Sequence, residues 1–168
     1  EQTFGQWLRG AADYDNEVKI VGHNIAYDMA VLASHNPAWL PQIYRAYERG
    51  NIHDTKIRQQ LLDIADGSFW KARKKGGYSL QALVKKYFFT DLDKSEDTWR
   101  LRYGELIEVP LDDWPEDAKA YALKDAESTF EVYCEQGSQS KTNYQADVVP
   151  NGPEQAANAF ALHLMSCW

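Results

Sequence analysis

The stretch VKIVGHNIAYDMAVL (Val18 to Leu32) changes period at its middle. Val18, Ile20 and Val21 form a β-branched run that predicts an interior strand of about five to six residues. From Asn24 the spacing turns helical, with Ile25, Met29 and Leu32 at i, i+4 and i+7. Asn24 reads as the helix cap, its side chain satisfying a free N–H of the first turn. Asp28 then falls at about the fourth helical position, where the benefit of the helix dipole has faded. α/β folds place ligands at the carboxyl ends of strands. Asp28 is thus either an ordinary helix-start acid or a carboxylate meant for a metal.

Working outward, TFGQWLRGAAD reads as an amphipathic helix that precedes the strand. Asn36-Pro37 stops the helix after it, and PQIYRAYERG is a further helix closed by Gly50. NIHDT predicts a second strand leading into TKIRQQLLDIADG, a helix ended by Gly67, in which His53-Asp54 could cap or orient the helix start. KARKKGG reads as a basic loop and SLQALVKKYF as a helix capped by Ser79. Thr90 to Pro110 is irregular apart from a turn of helix around TWRLRYGEL. LDDWPEDAKAYALKDAESTFEVYCEQG is the clearest helix, with Pro115 in its first turn, Glu116 and Asp117 against its N-terminal dipole, and Gly137 expected to end it. SQSKTNYQADVVPNGP reads as a linker. These boundaries divide the chain into 1–137, a linker over 138–152 and the start of another domain's helix over 153–168.

Strands alternating with helices imply an α/β fold with parallel neighbours. Only two strands are convincing, and two make a poor sheet, so further strands are expected outside this sequence. Glu1 in place of a Met, and an apolar helical pattern running to Trp168, raise the same expectation of a fragment.

The 168 residues, 44% of them hydrophobic, are enough for one domain with a core. A net charge of −7 argues against a broad basic face that coats nucleic acid, but not against a cleft that grips a few nucleotides. No apolar run approaches the roughly 20 residues of a membrane span. Cys134 and Cys167 offer no disulfide framework, which favours a reducing, cytoplasmic setting.

Tyr121 and Asp125, in YALKD, stand one turn apart on one helix face. Small neighbours Ala118, Ala122 and Ser128 leave room beside them. A phenol next to a carboxylate is common on helix surfaces, so the pair alone decides nothing. Asn24 and Asp28 repeat the spacing at a strand end. Two carboxylates from different helices could share a hard divalent ion such as Mg²⁺, which keeps waters or substrate phosphates on its remaining positions. Paired ions of this kind run in-line attack on phosphodiesters.

GHNIAYDMAVL resembles the second exonuclease motif, and YALKDAEST the third, of the 3′–5′ exonucleases with four acidic ligands and a tyrosine in the last motif. HDTKIRQQLLD, GYSLQALVKKYF and LDKSEDTWRLRYGEL are similar to the proofreading domain of family A, phage-type DNA polymerases. The resemblance covers Val18 to Gly137, and EQAANAFALHLMSCW is similar to the helix leading into the polymerase domain. It implies a ribonuclease H-like exonuclease fold, here N-terminally incomplete, and Mg²⁺-dependent (or Mn²⁺-dependent) removal of nucleotides from a single-stranded DNA 3′ end. It implies that Asp125 ligates the water-activating metal, that Tyr121 positions the water, that Asp28 serves the second metal, and that Asn24 lies beside the terminal nucleotide. It implies a polymerase domain as partner and a bacterial or phage-infected cytoplasm. The family's first motif, an Asp-x-Glu on the first strand, has no match; Asp13 to Glu17 holds acids but no strand. With two of four ligands, weak Mg²⁺ binding and little nuclease activity are expected. A degenerate scaffold or DNA-binding module and a related exoribonuclease are the alternatives. His23, Lys71 to Lys75, Trp99, Tyr103 and Cys134 read as structural or solvated residues.

Overall fold

The computed structural model describes residues 3–13, 15, 18–74, 77–90, 99–143 and 151–166. Two short strands run parallel at the centre. β1 (Ile20–Gly22) and β2 (Ile52–Asp54) pair in the register Ile20–Ile52, Val21–His53 and Gly22–Asp54. β1 is shorter than its β-branched run predicts and only partly buried, whereas every residue of β2 is buried.

The helix α1 (Phe4–Ala12) precedes β1, and Gln6 Oε1 accepts the Thr3 N–H at 2.7 Å to close its first turn. α2 (Ile25–His35) follows β1 directly. It stops where expected: Asn36 Oδ1 accepts the Ala38 N–H at 3.3 Å, and Pro37 opens a single 3-10 turn, Pro37–Trp39. α3 (Leu40–Glu48) returns the chain to β2 through Gly50, whose φ of 73° needs the left-handed freedom of glycine. α4 (Thr55–Ala65) leaves β2 without a loop. α5 (Phe69–Lys74) is helical across KARK, which sequence spacing assigns to a loop. Its Lys71, Arg73 and Lys74 are exposed, in line with a solvated basic face. α6 (Leu80–Phe88) carries the expected cap, with Ser79 Oγ accepting the Ala82 N–H at 3.2 Å. α7 (Trp99–Arg102) and the 3-10 turn Tyr103–Leu106 lie in the stretch read as irregular, whereas Leu111–Asp113, read as the start of the long helix, forms a separate 3-10 turn.

α8 (Glu116–Asn143) passes through Gly137 instead of ending there, so the first part of the expected linker is helical. A glycine ends a helix only when the chain turns left-handed at it; Gly137 stays helical. The middle of that linker, over 144–150, lies outside the described residues, as does Cys167. α9 (Asn151–Ser166) begins earlier than its apolar pattern suggests, with Pro153 in the first turn, where a missing N–H costs nothing.

The main core gathers Leu8 and Ala11 of α1, Ile25 and Met29 of α2, Ile43, Ala46 and Tyr47 of α3, Ile52 of β2, and Leu162 of α9. α9, assigned by sequence to a following domain, packs on α2, α3, α4 and β2. α8 packs along β1, α4 and α6, and Val132 joins Tyr78, Leu83 and Val84 in a second cluster. Cys134, which its place on the long helix suggests is a small buried hydrophobe, is exposed on α8.

Candidate exonuclease site

The two strands end side by side, and a single carboxylate joins the two helices that leave them. Asp54, the last residue of β2, is almost fully buried. Its Oδ1 accepts the N–H groups of Lys56 at 2.8 Å and Ile57 at 3.2 Å, capping α4 as HDT predicts. The same Oδ1 accepts the Asn24 N–H at 3.1 Å, and Oδ2 accepts the Ile25 N–H at 3.0 Å. Asp54 therefore caps α2 as well as α4. Burial pushes its carboxyl above the ordinary value, and the four backbone N–H groups oppose that shift.

This arrangement displaces Asn24 from its expected role. Asn24 stands at the N-cap position, but its backbone is left-handed (φ 62°, ψ 40°) and its side chain makes no cap bond. Its Oδ1 instead accepts a bond from Lys56 Nζ at 2.9 Å. Asparagine tolerates this conformation better than most residues. Asp54 supplies the cap from the other strand, which leaves the Asn24 amide facing the lysine.

Asp28 lies in the first turn of α2 and its side chain is exposed at the surface. Desolvation at the junction, and after it the charge of Asp54, raises its carboxyl above the ordinary value. The Tyr47 hydroxyl is buried close enough to Asp54 and Asp28 to feel both charges, and burial pushes it far upward.

His23 is structural, as its sequence position suggests. Its Nδ1 lies 2.9 Å from Thr55 Oγ1, and that hydroxyl also donates to Gly22 O at 3.3 Å. Burial, followed by the nearby Lys56 ammonium, depresses the imidazole to about 4, so the ring is neutral at physiological pH. Lys56 went unremarked in sequence; nothing in its spacing marks a lysine that reaches back to the other strand end.

Tyr121 and Asp125 sit one turn apart on α8, both half-buried. The space beside Tyr121 is filled rather than open. Ala118 is fully buried under Trp99 and Leu106, with Trp114 and Tyr121 packed against them. Trp99 is thus a core residue, with the Arg102 guanidinium 4.3 Å over its ring. Farther along α8, Gln136 Nε2 donates to Thr55 O at 2.8 Å and ties that helix to the start of α4. The same helix packs along β1, the strand that leads to Asn24 and Asp28. Among the described residues, no three or more His, Cys, Asp or Glu side chains group so that they could hold a metal ion. Asp28 and Asp125 do not make up such a site by themselves.

A family described as 3′–5′ exonuclease, of the DNA polymerase A type, matches residues 14–135. The chain belongs to this exonuclease family. No curated protein and no solved structure matches it. The exonuclease match takes in Asn24 and Asp28 at one end and Tyr121 and Asp125 at the other, together with the Asp54 clasp between them. α9 lies beyond the matched residues. Members of the family are generally dependent on divalent metals and act on nucleic acid. No helix of the described residues is long and apolar enough to cross a membrane.

Proposed function

We propose that the chain is a segment of the 3′–5′ proofreading exonuclease of a family A DNA polymerase, built on a ribonuclease H-like fold. The family match across both motifs carries this reading. The packing of α8, the helix that bears Tyr121 and Asp125, along β1, the strand that leads into α2, supports it. The substrate is the single-stranded 3′ end of DNA, and the cofactor is Mg²⁺, with Mn²⁺ as substitute.

In a complete site of this kind, paired divalent ions activate water and steady the leaving oxygen. Asp28 and Asp125 are the carboxylates this chain would contribute. The Tyr121 hydroxyl would orient the attacking water, its ring held in place by Trp99 and Ala118. Asn24, steadied by Lys56, would lie beside the terminal nucleotide. Two carboxylates are a poor set for an ion that prefers octahedral oxygen ligation. The 168-residue chain is therefore expected to bind Mg²⁺ weakly and to trim slowly; robust Mg²⁺-dependent degradation of a 3′-labelled oligonucleotide would overturn that part.

The decisive test places Asp125→Ala in the chain joined to its polymerase domain. Trimming is abolished and primer extension is spared; undiminished trimming removes Asp125 from the site. Tyr121→Phe keeps the ring packing and reduces trimming less severely. A degenerate scaffold is the second reading, favoured by Lys56 already occupying the Asn24 amide oxygen. It predicts DNA binding that is unchanged by either substitution.

A further inference from the structure

Glu154, near the start of α9, is a fully buried carboxylate. Its Oε1 accepts the backbone N–H of Asp54 at 2.7 Å. The head group is flanked by His53 Nδ1 at 3.5 Å and by Arg58 Nη1 at 3.6 Å. Arg58 in turn lies 4.7 Å over the ring of Tyr133 on α8, and the His53 ring is 5.0 Å from that same ring. Groups from β2 and α4 thus surround one carboxylate of α9, and Tyr133 of α8 backs two of them. Removing one partner from a buried ion pair is strongly destabilising, because the other is left uncompensated.

Asp54 is the residue that connects this buried pair to the candidate site. Its N–H is taken by Glu154, while its carboxylate takes the N–H groups of Asn24 and Ile25 at one helix and of Lys56 and Ile57 at the other. A shift of the Asp54 backbone would move the carboxylate and with it the start of α2. We infer that Glu154 is a positioning residue for the exonuclease site: by holding the Asp54 backbone it sets where α2 presents Asn24 and Asp28. The functional meaning rests on the exonuclease reading; the mechanical link does not. It also gives α9 a task inside the exonuclease unit, so that the segment after the matched nuclease residues bears on the site.

Residue-resolved amide hydrogen exchange on the 168-residue chain tests the link. Glu154→Asp withdraws the carboxylate by one methylene, and Glu154→Ala removes it. Both are expected to speed exchange at Asn24, Ile25, Lys56 and Ile57 by about tenfold or more relative to Met29 and Leu32. Glu154→Gln keeps an acceptor at Oε1 and should retain most of the protection. Leu162→Ala, which loosens α9 by packing alone, should lack this local pattern. Unchanged exchange at Asn24 and Ile25 in Glu154→Asp, or an even rise along all of α2, would overturn the inference. In the polymerase-linked chain, Glu154→Asp should lower kcat for trimming with little change in KM. Should the polymerase-linked parent chain show no trimming at all, the nuclease reading falls while the exchange result still decides the link.

Discussion

Asp54 caps a helix that it does not precede: its Oδ2 accepts the Ile25 N–H at 3.0 Å across 29 positions of chain. An ordinary cap reaches forward two or three residues, as the same side chain does toward Lys56 and Ile57. Parallel pairing of β1 and β2, with Gly22 opposite Asp54, brings the second helix start within reach.

Asp54→Ala should therefore cost more than the loss of one cap. Each helix start loses an acceptor worth about 0.5–2 kcal/mol, and Asn24 loses the bond that holds it left-handed, so roughly 2–4 kcal/mol is expected. Asp54→Asn should be milder, because one amide oxygen remains while its NH₂ opposes a backbone N–H. Urea unfolding of the two variants beside the parent chain measures both.

Gly22 is required by the closeness of α2. A Cβ at this position would meet Ile25 Cγ1 at 2.7 Å and its Cβ and Cδ1 at 2.8 Å. The branched side chain of a buried isoleucine cannot swing clear, so Gly22→Ala should destabilise by about 1–3 kcal/mol. A lowered melting temperature, with altered chemical shifts at Asn24 and Ile25, would register the displacement.

His23 should make stability fall in mild acid. Its folded value, about 4, lies below the ordinary 6.5, so between them the unfolded chain binds the extra proton. Stability is then complete above pH 6.5 and is lost as pH falls toward 4, by up to about 3 kcal/mol. Asp28 and Asp54, both shifted upward, act in the opposite sense: their contribution is present at low pH and lost as pH rises through their shifted values. Comparing His23→Gln with the parent in urea titrations from pH 4 to pH 7 isolates the histidine; parallel curves would contradict the assignment.

Arg58→Met removes one flank of the buried Glu154 carboxylate and its contact with Tyr133. An uncompensated buried charge costs about 3–5 kcal/mol. Adding Glu154→Gln should recover part of this, since the stranded charge is gone while the Asp54 N–H keeps an acceptor. Denaturant midpoints of the single and double variants give the coupling.

The elements were largely legible because their signals are local. Apolar spacing, Ser79, Asn36-Pro37 and the glycines at 50 and 67 act within a few residues, and the structure obeys them. The failures have local reasons too. Gly137 stays helical, the KARK segment folds into α5 beside the packed ring of Phe69, and Ala118 beside Tyr121 is covered by Trp99, Leu106 and Trp114 from the segment just before α8. At the site, Asp54 was readable as a cap for α4 but not for α2, and Asn24 was misread because its competitor for the cap lies on another strand.

What the sequence determined by itself was the chemistry on offer and its family: a strand-to-helix junction with Asn24 and Asp28, a long helix with Tyr121 and Asp125, and an exonuclease match spanning both. Only the tertiary structure decided what holds them. Spacing along the chain cannot encode that Asp54 clasps α2, that Lys56 engages Asn24, or that Glu154 of α9 grips the Asp54 backbone. Those bonds join residues whose proximity arises from strand pairing and helix packing, and buried polar groups take whichever partners the fold brings within reach.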